Sequence, residues 1–226
     1  MDPALPKKRA GVLDWRKGGV DNGAIEAIIF DLGNVLIDFD HMIAARRIAH
    51  FSNKSGEEIY ALFFNSQITA LFEAGKVSPE EFFLEVKKML NLKIDYHTFL
   101  PIWNEIFFFS AKNRAVFRIA SHLKDHYKTA VLSNVNFLHF EYLKKSFPVF
   151  KIFHHVFTSF ELGLAKPEQA IYQKALSILG TCPERTFYID DRKELVESAQ
   201  TLGIKGFVFT NPDQLKHDLF ASGIEV

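Results

Sequence analysis

The sequence is poor in cysteine and has no excess of charge of either sign. Cys182 is its single cysteine, which excludes a disulfide within the chain and favours a reducing compartment such as the cytoplasm. Lys and Arg together number 27, and so do Asp and Glu, so bulk charge does not attract the protein to nucleic acid or anionic membrane. We therefore expect no nucleic-acid or membrane partner, and we expect a monomer or a weak dimer.

The N-terminal segment lacks an apolar run long enough for a signal peptide or a membrane span. It is rich in Gly, Pro and charge, which predicts a flexible tail over residues 1–23. The chain as a whole has 226 residues and is 48% hydrophobic. That length and composition suit a globular protein with one good core, or a core and a small second domain.

Five short apolar runs are typical of strands that are buried on both faces, as in a parallel sheet. They cover residues 24–30, 129–134, 155–160, 186–190 and 205–210. Helix-like segments lie between them, and one of these is predicted to start with Pro167 just inside the helix and to end at Gly180. The alternation predicts an α/β fold with a doubly wound, Rossmann-like parallel sheet.

One interval interrupts the alternation. Residues 41–110 contain helix-like runs and no convincing strand, and Ser78 followed by Glu81 is a capping-box signature for a helix start. We therefore predict an α/β core formed by residues 24–40 and 111–226, with residues 41–110 inserted as a helical cap domain.

Polar side chains follow the predicted strands where each strand ends. In an open parallel sheet, ligands bind at the carboxyl ends of the strands, so these side chains are candidates for one site. They are Asp31 after the first strand, Ser133 and Asn134 after the second, Lys166 beyond the third, and Asp190 and Asp191 after the fourth.

The chemistry of this set is coherent. Three carboxylates at one sheet edge repel each other unless a cation lies among them, and oxygen ligands of this kind suit Mg²⁺. Ser133 and Asn134 can donate to a phosphoryl oxygen, and Lys166 supplies a positive charge. Asp31 can attack phosphorus as a covalent nucleophile. Each residue alone has an ordinary explanation as a turn or cap residue, but the ordered set favours a site.

Four stretches carry a resemblance to a known family. "FDLGNVLIDFD", "VLSNVN", "LGLAKPEQAIY" and "YIDDRKELVESAQTLG" resemble, in order, the four signature motifs of the haloacid dehalogenase-like hydrolase superfamily. The resemblance runs from about Ile25 to the C-terminus, and the helical insertion resembles the cap domain of that superfamily. The stretch "FEAGKVSPEEF" and the "DLGNV" variant are most similar to small bacterial phosphatases that act on sugar phosphates.

The resemblance implies a role for each candidate residue. Asp31 would be the nucleophile, Ser133 and Asn134 would hold the transferring phosphoryl group, and Lys166 would stabilise the nucleophile and the developing charge. Asp191 would bind Mg²⁺ together with Asp31 and the backbone carbonyl of Gly33. Asp190 would lie close to the metal, on a bound water or on Lys166, and is a further candidate ligand. Asp38 would be structural, at the junction of core and cap.

Two positions depart from the superfamily pattern. Phosphatases of the superfamily usually carry a second aspartate, the general acid, two residues after the nucleophile, where this chain has Gly33. Because glycine is permissive, we expect a larger residue there to strain the backbone. Glu194 replaces the Asn or Asp that is common after the paired aspartates, which affects the support of the metal ligands.

Three functions are compatible with the sequence. The first is a Mg²⁺-dependent phosphatase that acts on a small, sugar-like phosphomonoester through an aspartyl-phosphate. The second is a haloacid dehalogenase, which also attacks with an aspartate and needs no acid, although the Asp190–Asp191 pair favours a metal. The third is a weakly active or non-catalytic member that binds a phosphorylated ligand or a protein partner, and Gly33 is the feature in its favour.

Overall fold

A computed structural model describes residues 23–63 and 66–225 of the protein. The predicted N-terminal tail, residues 1–23, lies outside these ranges except for Gly23. Within the described part, no helix combines the length and the apolar character that crossing a bilayer requires.

The core is a parallel five-stranded sheet. The strands of the protein are, in chain order, β1 (Ala27–Phe30), β2 (Asp38–Phe39), β3 (Phe107–Phe108), β4 (Lys128–Ser133), β5 (His155–Thr158), β6 (Thr186–Asp190) and β7 (Lys205–Val208). The sheet has the order β5-β4-β1-β6-β7, and all of its neighbouring strands run parallel. The predicted doubly wound α/β fold is therefore confirmed.

The first strand shows why these runs are apolar throughout. Successive side chains of a strand point to opposite faces, and here Ile28 and Phe30 pack into one hydrophobic cluster while Ala27 and Ile29 pack into another. All four residues are buried, with at most 1% of their surface exposed. A strand that is covered on both faces has no polar side to show in its sequence.

Helices cover both faces of the sheet. In chain order, the helices of the described residues are α1 (His41–Ala49), α2 (Gly56–Phe63), α3 (Gln67–Glu73), α4 (Pro79–Leu90), α5 (Tyr96–Asn104), α6 (Ala111–Leu123), α7 (Phe137–Ser146), α8 (Ser159–Leu162), α9 (Gln169–Leu179), α10 (Lys193–Gln200) and α11 (Pro212–Ala221). Side chains of α6, α7 and α11 belong to one cluster against the sheet, and those of α9 and α10 to the other.

Several predicted boundaries need correction: the strand predicted over 24–30 begins at Ala27, and the one predicted over 205–210 ends at Val208. The helix expected to start at Pro167 begins at Gln169, so Pro167 belongs to the preceding loop, which carries Lys166. Its predicted end is confirmed, since Gly180 caps the helix with a positive φ of 61°. The strand expected to reach residue 160 ends at Thr158, because Ser159 starts the short helix α8.

Helices α1 to α5 supply most of a third hydrophobic cluster, to which Leu138 of α7 also belongs. Its largest buried side chains include Phe72, Phe82, Phe99 and Trp103. The predicted capping box is confirmed, with the Ser78 hydroxyl accepting from the Glu81 N–H and the Glu81 carboxylate accepting from the Ser78 N–H. This separate core is what an inserted helical unit requires.

The chain enters and leaves this helical segment through a short antiparallel ribbon. Strand β2 pairs with β3, with Asp38 opposite Phe108 and Phe39 opposite Phe107. The sequence predicts no strand between residues 41 and 110, and β3 corrects that expectation. A strand of two residues is too short to show an alternating pattern, so periodicity could not reveal it.

The helical segment docks on the core where α3 ends. Gly75 has a φ of +67°, and a Cβ atom at this position would lie 2.3 Å from the backbone oxygen of Phe160. The turn after α3 therefore needs glycine for two reasons, its left-handed backbone and its close contact with α8.

A comparison of alanine substitutions at Gly75 and Gly163 separates these two reasons. Gly163 has nearly the same φ, +66°, but an added Cβ would have no atom within 4 Å. We expect Gly163→Ala to lower the free energy of unfolding by about 1–2 kcal/mol, the cost of a left-handed L-residue. Gly75→Ala should cost about 2–5 kcal/mol, because overpacking adds about 1–3 kcal/mol. Urea denaturation measures both, and equal costs would show that the contact with Phe160 is not tight.

Candidate active site

Three neighbouring strands deliver polar residues to one edge of the sheet. Strand β1 lies at the centre, between β4 and β6. Asp31 follows β1, Ser133 ends β4, and Asp190 ends β6. Because all three strands are parallel, these residues meet at the same edge, and Lys166 reaches them from the loop before α9.

The centre of the site is a buried ammonium between two carboxylates. The Nζ atom of Lys166 lies 2.7 Å from Oδ1 of Asp31 and 2.7 Å from Oδ2 of Asp190, and 1% of its side chain is exposed. Burial alone would lower the pKa of Lys166, but the charges and hydrogen bonds of Asp31 and Asp190 outweigh it and raise the pKa. Lys166 is therefore a fixed positive charge.

The backbone of Lys166 is also held, by the side chain of Asn134. The Asn134 amide donates to the Lys166 carbonyl oxygen at 2.8 Å, and its oxygen accepts from the Lys166 N–H at 2.8 Å. The sequence predicts that this amide binds a phosphoryl oxygen, whereas in the structure it positions the lysine. This long-range pairing has no counterpart in the local sequence.

Both carboxylate oxygens of Asp190 accept hydrogen bonds from the surrounding protein. Besides Lys166, its Oδ2 accepts a hydrogen bond from the Tyr188 hydroxyl, and its Oδ1 accepts from the Arg192 N–H at 2.9 Å. Its exposed fraction is 0%. The sequence places Asp190 on a bound water or on Lys166, with metal ligation as a further possibility, and in the structure it contacts Lys166.

Asp191 lies beside Asp31 and is supported from the turn after β1. The Asn34 amide donates to Oδ2 of Asp191 at 3.0 Å. Asn34 has a positive φ of 55°, and its carbonyl oxygen accepts from Lys112 at 2.8 Å. Glu194, the expected place of such support, instead accepts from the Arg192 guanidinium at the surface.

The carboxylates of Asp31, Asp190 and Asp191 form a cluster that could hold a metal ion. One oxygen from each lies within 4.8 Å of the others. Burial, opposed in part by Lys166, raises the pKa of Asp31, and the nearby carboxylates raise it further. Burial also raises the pKa of Asp191. With all three carboxylates ionised, they and Lys166 sum to −2, a charge that a divalent cation balances.

A cavity of about 320 Å³ opens above these residues. It is lined by Asp31, Gly33, Ser133 and Asp191 from the core, and by residues of the helical segment such as Glu73. Ser133 is 4% exposed at its floor. Within the described residues, Oδ2 of Asp31 accepts no hydrogen bond, so this oxygen is available to a ligand.

The physical reason for a glycine at position 33 differs from the one expected from the sequence. Its φ lies outside the left-handed region, so its backbone does not require glycine. A Cβ atom at this position would instead lie 2.7 Å from Cε1 of Phe39. The ring of Phe39 therefore fills the space that a side chain at position 33 would need.

Sequence reasoning overlooked four residues of this site. They are Asn34, Phe39, Glu73 and Tyr188. Asn34 carried a usable signal, because Asn beside Gly tolerates a left-handed turn at the end of a strand. The other three enter through tertiary packing and carry no local pattern.

Asp38 occupies the place expected at the junction of core and helical segment. Its Oδ1 lies 2.7 Å from Nζ of Lys112 and accepts from the Asn113 amide at 3.1 Å. Its hydrogen bond with Lys112 contributes to lowering the pKa of Asp38, against the effect of partial burial. Asp38 thus ties β2 to the start of α6.

The curated proteins that match most of this chain include the following two. A drimenol cyclase from Aspergillus calidoustus is 22% identical over 197 residues, which are 86% of this chain and 36% of that protein. The chain thus spans about a third of the length of that relative. A D-ribitol-5-phosphate phosphatase from Bacteroides thetaiotaomicron is 21% identical over 86% of this chain and 97% of its own length.

Solved structures and a family model agree with this result. The crystal structure of a haloacid dehalogenase family enzyme from Bacteroides thetaiotaomicron, in complex with magnesium and inorganic phosphate, superposes with a TM-score of 0.72. It is 26% identical and covers 83% of this chain and 96% of its own. The family model of the haloacid dehalogenase-like hydrolases matches residues 28–209. The chain therefore belongs to the haloacid dehalogenase-like hydrolase family.

Proposed function

We propose that this hydrolase is a Mg²⁺-dependent phosphatase that cleaves small phosphomonoesters through an aspartyl-phosphate. The observation that carries the proposal is Asp31. One of its oxygens is fixed by the buried Lys166, and the other accepts no hydrogen bond from the described residues and belongs to the wall of the cavity. A carboxylate that is oriented in this way at a cavity is suited to nucleophilic attack.

Asp31, Asp191 and the backbone carbonyl of Gly33 would hold the magnesium ion. The all-oxygen donor set and the net charge of −2 suit this ion. Asp190 would act through Lys166, because its oxygens are taken by other donors. When bound, Mg²⁺ would neutralise charge on the transferring phosphoryl group.

The remaining core residues would orient the phosphoryl group. The Ser133 hydroxyl would donate to one phosphoryl oxygen, and the Lys166 ammonium would stabilise the developing negative charge. Asn134 would contribute by holding the lysine main chain, since its amide is engaged there. Asp31 would attack phosphorus, and water would release phosphate from the aspartyl-phosphate in a second step.

Residues 41–110 would form the cap that selects the substrate. The cavity combines core residues with Thr69, Glu73 and other residues of this segment, so the cap would cover the mouth of the site and exclude water. A volume of about 320 Å³ fits a small metabolite. The similarity to a phosphatase named for ribitol 5-phosphate supports a sugar-like phosphate as substrate.

The carboxylate cluster favours this function over haloacid dehalogenation. Displacement of a halide by an aspartate needs no metal, and three carboxylates with oxygens within 4.8 Å would then repel each other without a benefit. An assay of the purified protein with p-nitrophenyl phosphate and a haloacid, each with and without Mg²⁺, distinguishes the two functions.

Magnesium should stabilise the folded protein. A ligand at a hundredfold excess over its Kd adds about 2.7 kcal/mol, which raises the Tm of a chain of this size by roughly 5–10 °C. Asp191→Asn should abolish most of this increase and leave the fold intact, whereas the exposed Asp125→Asn should preserve it. Differential scanning calorimetry in Mg²⁺ and in EDTA measures the increase. Its absence in the parent protein would contradict the metal site.

Removal of the nucleophile should abolish turnover. Asp31→Asn keeps the shape of the side chain but replaces the carboxylate by an amide, which is a poor nucleophile. We expect turnover of p-nitrophenyl phosphate to fall by at least about 10³-fold. Asp125→Asn serves again as the matched control and should retain the parental rate. Parental turnover by Asp31→Asn would show that another group attacks phosphorus.

A further inference from the structure

The region beside Gly33 cannot supply a proton to the leaving group. Glycine has no side chain, and the space in front of it holds the ring of Phe39. That ring also packs against His41 and Phe107, with centroids 4.8 and 6.1 Å apart. An alkyl leaving group needs a proton, and a titratable side chain that lines the cavity is suited to provide it.

Two histidines that line the cavity are poor donors. The His139 ring nitrogens pair with the Asn136 amide and the Trp103 carbonyl oxygen, both at 3.1 Å. Burial lowers the pKa of His139 to about 3 and the pKa of His41 to about 4. Both rings are therefore neutral near pH 7 and lack an acidic proton of suitable strength.

Arg192 also lines the cavity but is excluded as an acid. Its guanidinium is paired with Glu194, and the adjacent charges and hydrogen bonds raise its pKa despite partial burial. Among the described residues of the lining that have not been assigned above, Glu73 is the remaining titratable group.

Glu73 is held in place by the core. It is the last residue of α3, and its carbonyl oxygen accepts from the Ser159 hydroxyl at 2.5 Å. The same hydroxyl accepts from the Val135 N–H at 3.0 Å, in the loop that follows Ser133. The close packing of Gly75 on α8 fixes the turn directly after it. The main chain of Glu73 is thus held against the core beside Ser159 and Val135, and the residue lines the cavity that Asp31 and Ser133 also line.

The carboxyl group of Glu73 is available to a ligand. In residues 23–63 and 66–225, no hydrogen bond or ion pair engages its side-chain oxygens. Burial raises the pKa of Glu73 to about 7, against a smaller opposing effect of Arg192. A carboxyl group of that pKa holds a proton in a large share of molecules at neutral pH, and it can exchange the proton in both directions.

We propose that Glu73 is the general acid and base of the reaction, in place of the acid that Gly33 lacks. This inference rests on the proposed phosphatase function. As Asp31 forms its bond to phosphorus, the bond between phosphorus and the leaving oxygen breaks, and Glu73 gives its proton to that oxygen. Glu73, now a carboxylate, takes a proton from the water that attacks the aspartyl-phosphate. Phosphate leaves, and Asp31 and protonated Glu73 are restored.

The test compares leaving groups that differ in their need for a proton. The substrates are glycerol 3-phosphate, whose alkoxide needs one, and p-nitrophenyl phosphate, whose phenolate does not. We expect Glu73→Gln to lower kcat/KM for glycerol 3-phosphate by about 10²–10⁴-fold and for p-nitrophenyl phosphate by less than about tenfold. The ratio kcat/KM is used because it reports phosphoryl transfer to Asp31 and not the later hydrolysis. Glu85→Gln, an exposed glutamate of α4 outside the cavity lining, should leave both values unchanged.

The possible results distinguish the role of Glu73 from the proposed phosphatase function. Equal losses with both esters, or an unchanged rate with glycerol 3-phosphate, would overturn the role of Glu73 and leave the phosphatase proposal standing. A parent protein that hydrolyses neither ester in Mg²⁺ would overturn the proposed function itself. Glu73→Asp keeps the carboxyl group and provides a second variant if Glu73→Gln does not fold. Its kcat/KM for glycerol 3-phosphate should fall by less than that of Glu73→Gln. An equal fall of kcat/KM with both esters in this variant would also overturn the role of Glu73.

Discussion

The burial of a lysine ammonium between two aspartates is the constraint on which the rest of the site depends. Taking each charge out of water costs several kcal/mol, and good geometry with further hydrogen bonds is needed to offset that cost. The fold provides this by placing β1 next to β6, which brings Asp31 and Asp190 within 2.7 Å of one ammonium. Asn134 fixes the lysine backbone, and Tyr188 donates to Asp190.

The charges of the site are divided between two units of the chain. The core supplies charges at the ends of hydrogen-bonded strands, together with Lys166 from the loop before α9. The helical segment supplies apolar walls and the carboxyl group of Glu73, at the end of a helix that contacts the core through Ser159 and Gly75. Phe39, in strand β2 of the ribbon, takes the space beside Gly33. Both units therefore line the same cavity.

The sequence alone was sufficient to predict the sheet and to find the principal charged residues at its edge. Its strands are apolar on both faces, and residues such as Asp31 follow directly at the ends of those strands, so position alone brought them together. The pairing of Asn134 with Lys166 joins residues 32 positions apart and leaves no local trace. The contact of Phe39 with Gly33 could not be predicted either. A glycine in a sequence does not show whether its backbone conformation or a neighbouring side chain requires it. Strand β3, with two residues, was too short for any periodic signal.

The ribbon of β2 and β3 places the two ends of the helical segment side by side. The paired residues Asp38 and Phe108 are neighbours in space although about 70 positions separate them in the chain. Whatever lies between them can be lengthened, shortened or exchanged without breaking a hydrogen bond of the five-stranded sheet. Such a junction lets the residues that the segment contributes to the cavity change while the strand ends of the core keep their positions. A graft between relatives would have to match this strand pair and the contacts of Glu73 and Gly75 with α8.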